Sequence, residues 1–163
     1  WKHEFVNGVV YAMSGASRRH NAIAGDLFTA INAHLPVGPC QIFALDMKVH
    51  IKTAEDERYY YPDVFVTCSS GDQSDYADEQ PVLIVEVTSP STEHVDRGPK
   101  FAAYTSIPSL QEYVLVSQEK GQAEVFRRRT GWSQETYSTG ADLTLESIGL
   151  TLPVSAIYRR VSF

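Results

Sequence analysis

Residues 81–92, PVLIVEVTSPST, constrain the fold of this chain more than any other segment. Large apolar residues precede Glu86, and Val87 continues the apolar run until Ser89-Pro90 ends it. Near-continuous hydrophobicity over 82–88 predicts a strand that is covered on both faces of its sheet. The residue before a proline is restricted to extended geometry, which closes the strand. The sequence therefore places a carboxylate inside its most buried predicted strand.

A buried carboxylate has to be neutralised, paired or bound to a metal, because an uncompensated one costs several kcal/mol or more. Glu86 could lie at a strand end and reach solvent or an arginine. A second acid, Asp63, lies in the strand-like segment YYYPDVFV, where Pro62 marks a strand edge or bulge. Two acids on neighbouring strands can converge on one hard cation such as Mg²⁺, although Pro-Asp alone is also common in turns.

The rest of the chain reads as alternating strands and short helices. Asn7-Gly8 predicts a hairpin over 4–13. Apolar residues recurring every four positions predict a helix over 18–35. Further strands are expected at 41–52, 58–67, 112–117, 123–128 and 132–138, a surface loop at 69–80, and short helices at 97–106 and 153–160. This order predicts a single α/β (α+β) domain over 1–163, with a central mixed β-sheet flanked by helices, an N-terminal hairpin and extra C-terminal strands.

Composition excludes some classes of protein. No run of 18 apolar residues is present, so no transmembrane helix is expected. The formal net charge of −6 argues against a protein that simply coats nucleic acid. It is compatible with a metal-dependent enzyme, since bound cations reverse the local charge. Cys40 and Cys68 show no metal-ligand spacing and are expected to be buried thiols of a reducing compartment, which predicts a cytoplasmic protein.

A lysine provides a third candidate. Lys100 shares a face of its predicted helix with Tyr104, four residues later. If it lies close to the two carboxylates, it could orient or help deprotonate a water molecule and stabilise charge on a phosphate. A solvated helix lysine is the alternative.

Taken together, PD at 62–63, VEVTSPST at 85–92, and the segment Asp96-Arg97-Gly98-Pro99-Lys100 with Tyr104 resemble the Uma-type "putative restriction endonuclease" family. That family belongs to the PD-(D/E)xK nuclease superfamily. The resemblance implies a restriction-endonuclease-like core in which Asp63 and Glu86 bind Mg²⁺ or Mn²⁺, with the backbone carbonyl of Val87 as a further ligand. The usual signature has a lysine two residues after the glutamate. Thr88 occupies that place here, so the resemblance implies that Lys100 takes over the role.

Two residues are secondary candidates under the same resemblance. Asp46, in ALDMKV, could be a further ligand, could orient one, or could be a strand-surface aspartate. His20, near a helix start, could contact substrate phosphate or only contribute to packing. Glu4 is expected to be structural or exposed. The arginines of 127–129 and 18–19 are expected to be solvated, with phosphate binding as the less favoured alternative.

The sequence thus predicts a metal-dependent nuclease that hydrolyses phosphodiester bonds in DNA by a metal-activated water. One alternative is a catalytically inactive nuclease-like domain that binds nucleic acid or a protein partner. Another is a structural domain in which Glu86 and Lys100 form only a buried ion pair. No membrane association is expected, and the edge strands at 123–138 could support a homodimer.

Overall fold

The N-terminal hairpin forms as predicted. The computed structural model describes residues 2–70 and 74–163. Strands β1 (His3–Val6) and β2 (Val9–Ala12) pair antiparallel around Asn7 and Gly8. Both turn residues have positive φ, 47° and 85°, the combination that Asn-Gly favours in two-residue hairpins.

A five-stranded sheet contains this hairpin. It adds β4 (Lys48–Lys52), β5 (Glu57–Tyr60) and β7 (Ala77–Asp78), in the order β2-β1-β5-β4-β7. The pair β4–β7 is parallel and the other pairs are antiparallel.

A six-stranded mixed sheet forms the centre of the fold. Its strands are β3 (Gln41–Ala44), β6 (Val64–Thr67), β8 (Pro81–Thr88), β9 (Glu112–Ser117), β10 (Gln122–Arg127) and β11 (Gln134–Ser138). The order is β11-β10-β9-β8-β6-β3, with β8 and β9 parallel. A separate ribbon pairs β12 (Asp142–Leu145) with β13 (Leu150–Pro153).

Helices cover the central sheet, so β8 is buried on both faces as its sequence predicts. The helices are α1 (Arg18–His34), α2 (Glu93–Arg97), α3 (Pro99–Thr105) and α4 (Val154–Ile157). Val85 and Val87 join the apolar core that contains the buried stripe of α1. Ile84 joins a second core with Tyr104 of α3. Side chains alternate between faces along a strand, so Glu86 shares the face of Ile84 and is directed toward α3.

Two predicted strands were wrong in their extent. The segments 41–52 and 58–67 each divide into two strands, one in each large sheet. Leu45, with φ of 66°, interrupts the first segment, and Pro62 falls in the break of the second. Hydrophobic runs do not reveal where a chain passes from one sheet to another. The loop at 69–80 contains the short β7, and residues 71–73 of it lie outside the described residues.

The expectation of free cysteine thiols was also wrong. Cys40 and Cys68 form a disulfide that joins β3 to β6. The antiparallel register pairs Gln41 with Thr67, so the next residue pair outward is Cys40 and Cys68. The two cysteines are 28 residues apart in the sequence, and this spacing did not indicate that they would pair. None of the helices in the described ranges is long and apolar enough to cross a membrane.

Candidate active site

Glu86 lies in the middle of a charged cluster. It is 3% exposed and projects from β8 toward α3. Lys100 Nζ donates a hydrogen bond to Glu86 Oε1 over 3.1 Å, and the Tyr104 hydroxyl donates to the same oxygen over 2.9 Å. Lys100 and Tyr104 therefore meet Glu86 from one face of α3, as their spacing predicts.

Two further carboxylates surround the same lysine. Glu4 Oε1 lies 3.3 Å from Lys100 Nζ, and Asp96 Oδ1 lies 3.7 Å from it. Glu4 comes from β1 and Asp96 from α2, so three separate segments bring acids to one ammonium group. The ring of Tyr60 lies 5.5 Å from Lys100 Nζ and adds a cation–π contact.

Asp63 is held immediately beside this cluster. Val64 pairs with Val85 across β6 and β8, so one further step places Asp63 opposite Glu86. Asp63 Oδ2 accepts a hydrogen bond from the Val87 N–H over 2.7 Å, and Asp63 Oδ1 lies 2.8 Å from His20 Nε2. His20 reaches this position because Ser17 caps α1 one turn earlier and accepts a hydrogen bond from the His20 N–H.

The Val87 carbonyl faces the same side as Asp63. Within a strand, the N–H and C=O of one residue point to the same edge, and the Val87 N–H points to Asp63. Strand β6 begins only at Val64, which pairs with Val85, so β6 has no ladder partner for Val87. The next carbonyl, of Thr88, points to the other edge and accepts a hydrogen bond from the Gln118 N–H over 3.2 Å.

The electrostatics of the cluster show an excess of negative charge. Burial raises the pKa of Glu86 well above its usual range, Lys100 opposes the rise, and Asp63 and Asp96 add to it. Burial likewise raises the pKa of Asp96. For Lys100, burial lowers the pKa, but Glu86, Glu4 and Asp96 together raise it above the ordinary value. The lysine is therefore a fixed positive charge, and the acids around it are not fully neutralised.

The donor set fits a hard divalent cation. Asp63, Glu86 and the Val87 carbonyl offer only oxygen, and Mg²⁺ is usually held by one or two carboxylates with water and substrate completing its shell. Within the described residues, both hydrogen bonds to the Glu86 carboxylate go to Oε1. Its other oxygen, Oε2, is left for another ligand. Within those same residues, no group of three or more His, Cys, Asp and Glu side chains is arranged as a metal site. The protein alone thus offers an open donor set.

The structure separates the other candidates from the cluster. Asp46 has a side chain that is 83% exposed and pairs with Lys2 over 2.9 Å. Arg127 is not solvated as predicted. Its side chain is 2% exposed and donates to Glu112 and Glu135. Arg128 donates to the carbonyls of Leu110 and Ile107, and Arg129 pairs with Glu146. These contacts within the chain occupy all three arginines, which disfavours phosphate binding there.

Sequence reasoning missed two members of the cluster. Asp96 belongs to the segment that carries the family resemblance but was given no role, and Gly98 separates its helix α2 from α3, so helical spacing alone does not predict its contact with Lys100. Glu4 was expected to be structural or exposed, yet its side chain is only 16% exposed and pairs with Lys100. No local pattern marks Glu4, because its position depends on the pairing of β1 with β5.

Residues 1–155 match the sequence profile of a family, Uma2, that is described as "Putative restriction endonuclease". The chain belongs to the Uma2 family. This confirms the resemblance carried by the Pro-Asp, VEVTSPST and Lys100 segments, and it places the cluster in a family described as a nuclease.

Three other proteins are similar to this chain in sequence or in fold. An "Uncharacterized protein slr1290" of Synechocystis is 40% identical over 165 residues, which cover 99% of this chain and 86% of that protein. A second Synechocystis protein, "Uncharacterized protein sll1609", is 38% identical over 120 residues, 72% of this chain and 67% of that one. A crystal structure described as "a putative nuclease belonging to DUF820" from Anabaena variabilis has a TM-score of 0.77 at 15% identity, covering 96% of this chain and 89% of that one. The last match shows a shared fold, which confirms the predicted nuclease-like α+β class.

Proposed function

We propose that this chain is a Mg²⁺- or Mn²⁺-dependent nuclease that hydrolyses phosphodiester bonds in DNA. The observation that supports the proposal is the convergence of Asp63, Glu86 and Lys100 at one place in a chain of the Uma2 family. A divalent ion held there would supply Lewis-acid chemistry, by which water becomes a nucleophile and charge on the phosphate is offset.

Each residue has a role that follows from its contacts. Asp63, Glu86 and the Val87 carbonyl would hold the ion. His20 and the Val87 N–H fix the orientation of the Asp63 carboxylate through its two oxygens, which is the arrangement that tunes metal ligands in many proteins. Lys100 is a permanent cation next to Glu86, suited to stabilising charge that develops on the phosphate. Tyr104 holds Glu86 Oε1 and so fixes the rotamer of the carboxylate.

One observation favours a second function, a nuclease-like domain that binds nucleic acid or a protein partner without cutting. Lys100 and Glu86 already neutralise each other at 3.1 Å without a metal. If that ion pair does not open, Glu86 contributes less charge to a metal site, and binding without cleavage is the expected outcome. The usual signature has its lysine on the strand, where this chain has Thr88, and Lys100 lies on α3 instead. This change of place is consistent with either function.

Metal-dependent cleavage separates the two functions. Supercoiled plasmid and single-stranded oligonucleotide would be incubated with the protein and Mn²⁺, and Mn²⁺ binding would be measured in parallel by calorimetry. The proposal expects cleavage by the wild type, loss of Mn²⁺ binding in Asp63→Asn, and loss of cleavage in Glu86→Gln and Lys100→Ala. Asp142→Asn removes an exposed carboxylate of β12 and is the matched control.

Two outcomes would contradict the proposal. Equal trace nicking by the wild type and by Asp63→Asn would identify the activity as contamination. Nucleic-acid binding without cleavage, unchanged by Glu86→Gln, would favour the binding function instead. The choice of DNA over RNA and a homodimer remain predictions. The disulfide removes the argument from free thiols on which the predicted cytoplasmic location was based.

A further inference from the structure

Glu4 is the least expected member of the charged cluster, and its environment is unusual. Its Oε1 atom is fully buried and has no hydrogen bond of regular geometry from any residue in 2–70 or 74–163. The charge of Lys100, 3.3 Å away, is what compensates that oxygen. A carboxylate oxygen buried in this way is costly without a counter-charge, so Glu4 depends on Lys100 being in place.

Strand pairing, and not a flexible loop, directs Glu4 at the site. Phe5 of β1 pairs with Tyr59 of β5. One further step along this register places Glu4 beside Tyr60, whose ring contacts the Lys100 ammonium group. The five-stranded sheet thus presents Glu4 and Tyr60 to one side of Lys100, while Glu86 of the central sheet lies on the other.

Metal binding would change the balance of forces on Lys100. A divalent cation at Glu86 takes up the charge of that carboxylate and repels the ammonium group nearby. Two acids then remain to hold the lysine. Asp96 is at the longer distance, 3.7 Å, and belongs to the short helix α2, four residues before Lys100 in the chain. Glu4 is closer and is anchored in a different sheet, so it fixes the position of the lysine relative to β8.

We propose that Glu4 is a positioning residue that retains the Lys100 ammonium group in the site when Glu86 binds a divalent metal ion. The inference rests on the proposed nuclease function and adds a part to it. Glu4 contacts neither substrate nor metal in this role. It acts through Lys100, so its loss should affect turnover and the accessibility of that amine more than the binding of the metal.

The test compares Glu4→Gln, which removes the charge, with Glu4→Asp, which keeps it on a shorter side chain. Glu55→Gln, in an exposed loop, is the control for net charge. We expect Glu4→Gln to lower kcat by about 10- to 100-fold, the cost of misplacing a reacting group by about 1 Å. The change in KM should stay within about twofold, and Glu4→Asp should recover part of the lost kcat.

A second readout does not depend on activity. Amine labelling with mass-spectrometric mapping reports the accessibility of Lys100, and exposed Lys120 serves as the internal standard. In the wild type, Lys100 should stay protected with and without saturating Mn²⁺. In Glu4→Gln it should be protected without Mn²⁺ and labelled at least about fivefold faster with it, because the remaining acids no longer hold the repelled ammonium group.

The possible failures are distinguishable. If wild-type protein binds no Mn²⁺, the nuclease proposal and this inference are both overturned. If Mn²⁺ binds and DNA is cleaved, but Glu4→Gln keeps full kcat or keeps Lys100 protected, only the role of Glu4 is overturned. Equal loss of kcat in Glu4→Gln and Glu4→Asp with unchanged labelling would also overturn it, since a structural role predicts that pattern.

Discussion

Replacing Lys100 by methionine tests the charge balance of the cluster without requiring any activity. Methionine keeps much of the apolar stem and removes the ammonium group. The Lys100 side chain is 9% exposed and lies within 3.7 Å of Glu86, Glu4 and Asp96. Lys100→Met therefore leaves three acids near one another without their shared counter-ion.

The expected magnitude follows from the burial of these groups. Removing one partner of a buried ion pair typically costs about 3–5 kcal/mol. For a domain of this size, that lowers the melting temperature by roughly 6–20 °C. The cost should be less at low pH, because a carboxylate can take up a proton in place of the lost ammonium group.

The stability of Lys100→Met relative to the wild type should fall as pH rises. The pKa of Glu86 is already raised by burial in the wild type, and loss of Lys100 removes the group that opposes that rise. The lysine proton is present in both states of the wild type and missing from both states of the variant, so it cancels. The native variant holds about one more carboxyl proton than the native wild type, while the carboxyl groups of the unfolded chains do not differ. Its stability relative to the wild type should fall by about 1.4 kcal/mol for each pH unit of increase in the range where that proton is lost.

Urea unfolding of the wild type and Lys100→Met between pH 5 and pH 8 measures this dependence, with Lys120→Met as the exposed-lysine control. We expect Lys100→Met to lose much stability at pH 8 and less at pH 5, and the control to stay within about 0.5 kcal/mol of the wild type. Saturating Mn²⁺ should raise the free energy of unfolding of Lys100→Met above its metal-free value, since a ligand that binds only the folded state stabilises it. A loss below about 1 kcal/mol at every pH would refute the picture of a buried, shared counter-ion.

Three further predictions concern other parts of the fold. Arg127→Met should lower the free energy of unfolding by about 3–5 kcal/mol because it unpairs the buried Glu112, whereas the exposed Arg129→Met should stay close to the wild type in the same urea titration. Burial raises the pKa of Asp78, so the stability that its protonated form contributes is lost as pH rises above about 4. Asp78→Asn should therefore be more stable than the wild type at pH 7. Equal urea midpoints of the two proteins at pH 7 would contradict this. Replacing Cys40 and Cys68 together by serine should cost about 2–4 kcal/mol, checked by thermal unfolding, and an unchanged transition would show that the bond does not contribute.

Local patterns predicted some of the elements that carry the candidate site, and the family resemblance suggested that they meet. The apolar run around Glu86 identified a strand buried on both faces, but the sequence analysis did not say which face carries the carboxylate. Helical spacing placed Lys100 and Tyr104 on one face, and both donate to Glu86 Oε1. These inferences succeeded because each depends on residues within a few positions of one another.

Long-range pairing determines what the sequence did not reveal. Glu4 reaches Lys100 through the register of β1 on β5, and His20 reaches Asp63 through the packing of α1 near the end of β6. Arg127 looked like part of a solvated basic cluster, but its partners come from β9 and β11. Single-sequence periodicity carries no information on which distant strand will be the neighbour.

The same cluster joins the two large sheets, which links stability to the proposed chemistry. Glu4 belongs to the five-stranded sheet, Glu86 to the central sheet, and Lys100 lies between them. In the metal-free protein, this one ammonium group is the counter-ion for acids from both sheets. An activity lost in Lys100→Ala could therefore reflect either lost chemistry or a loosened contact between sheets. Glu4→Gln and Glu86→Gln change charge at constant shape, so their effects on folding and on turnover can be separated.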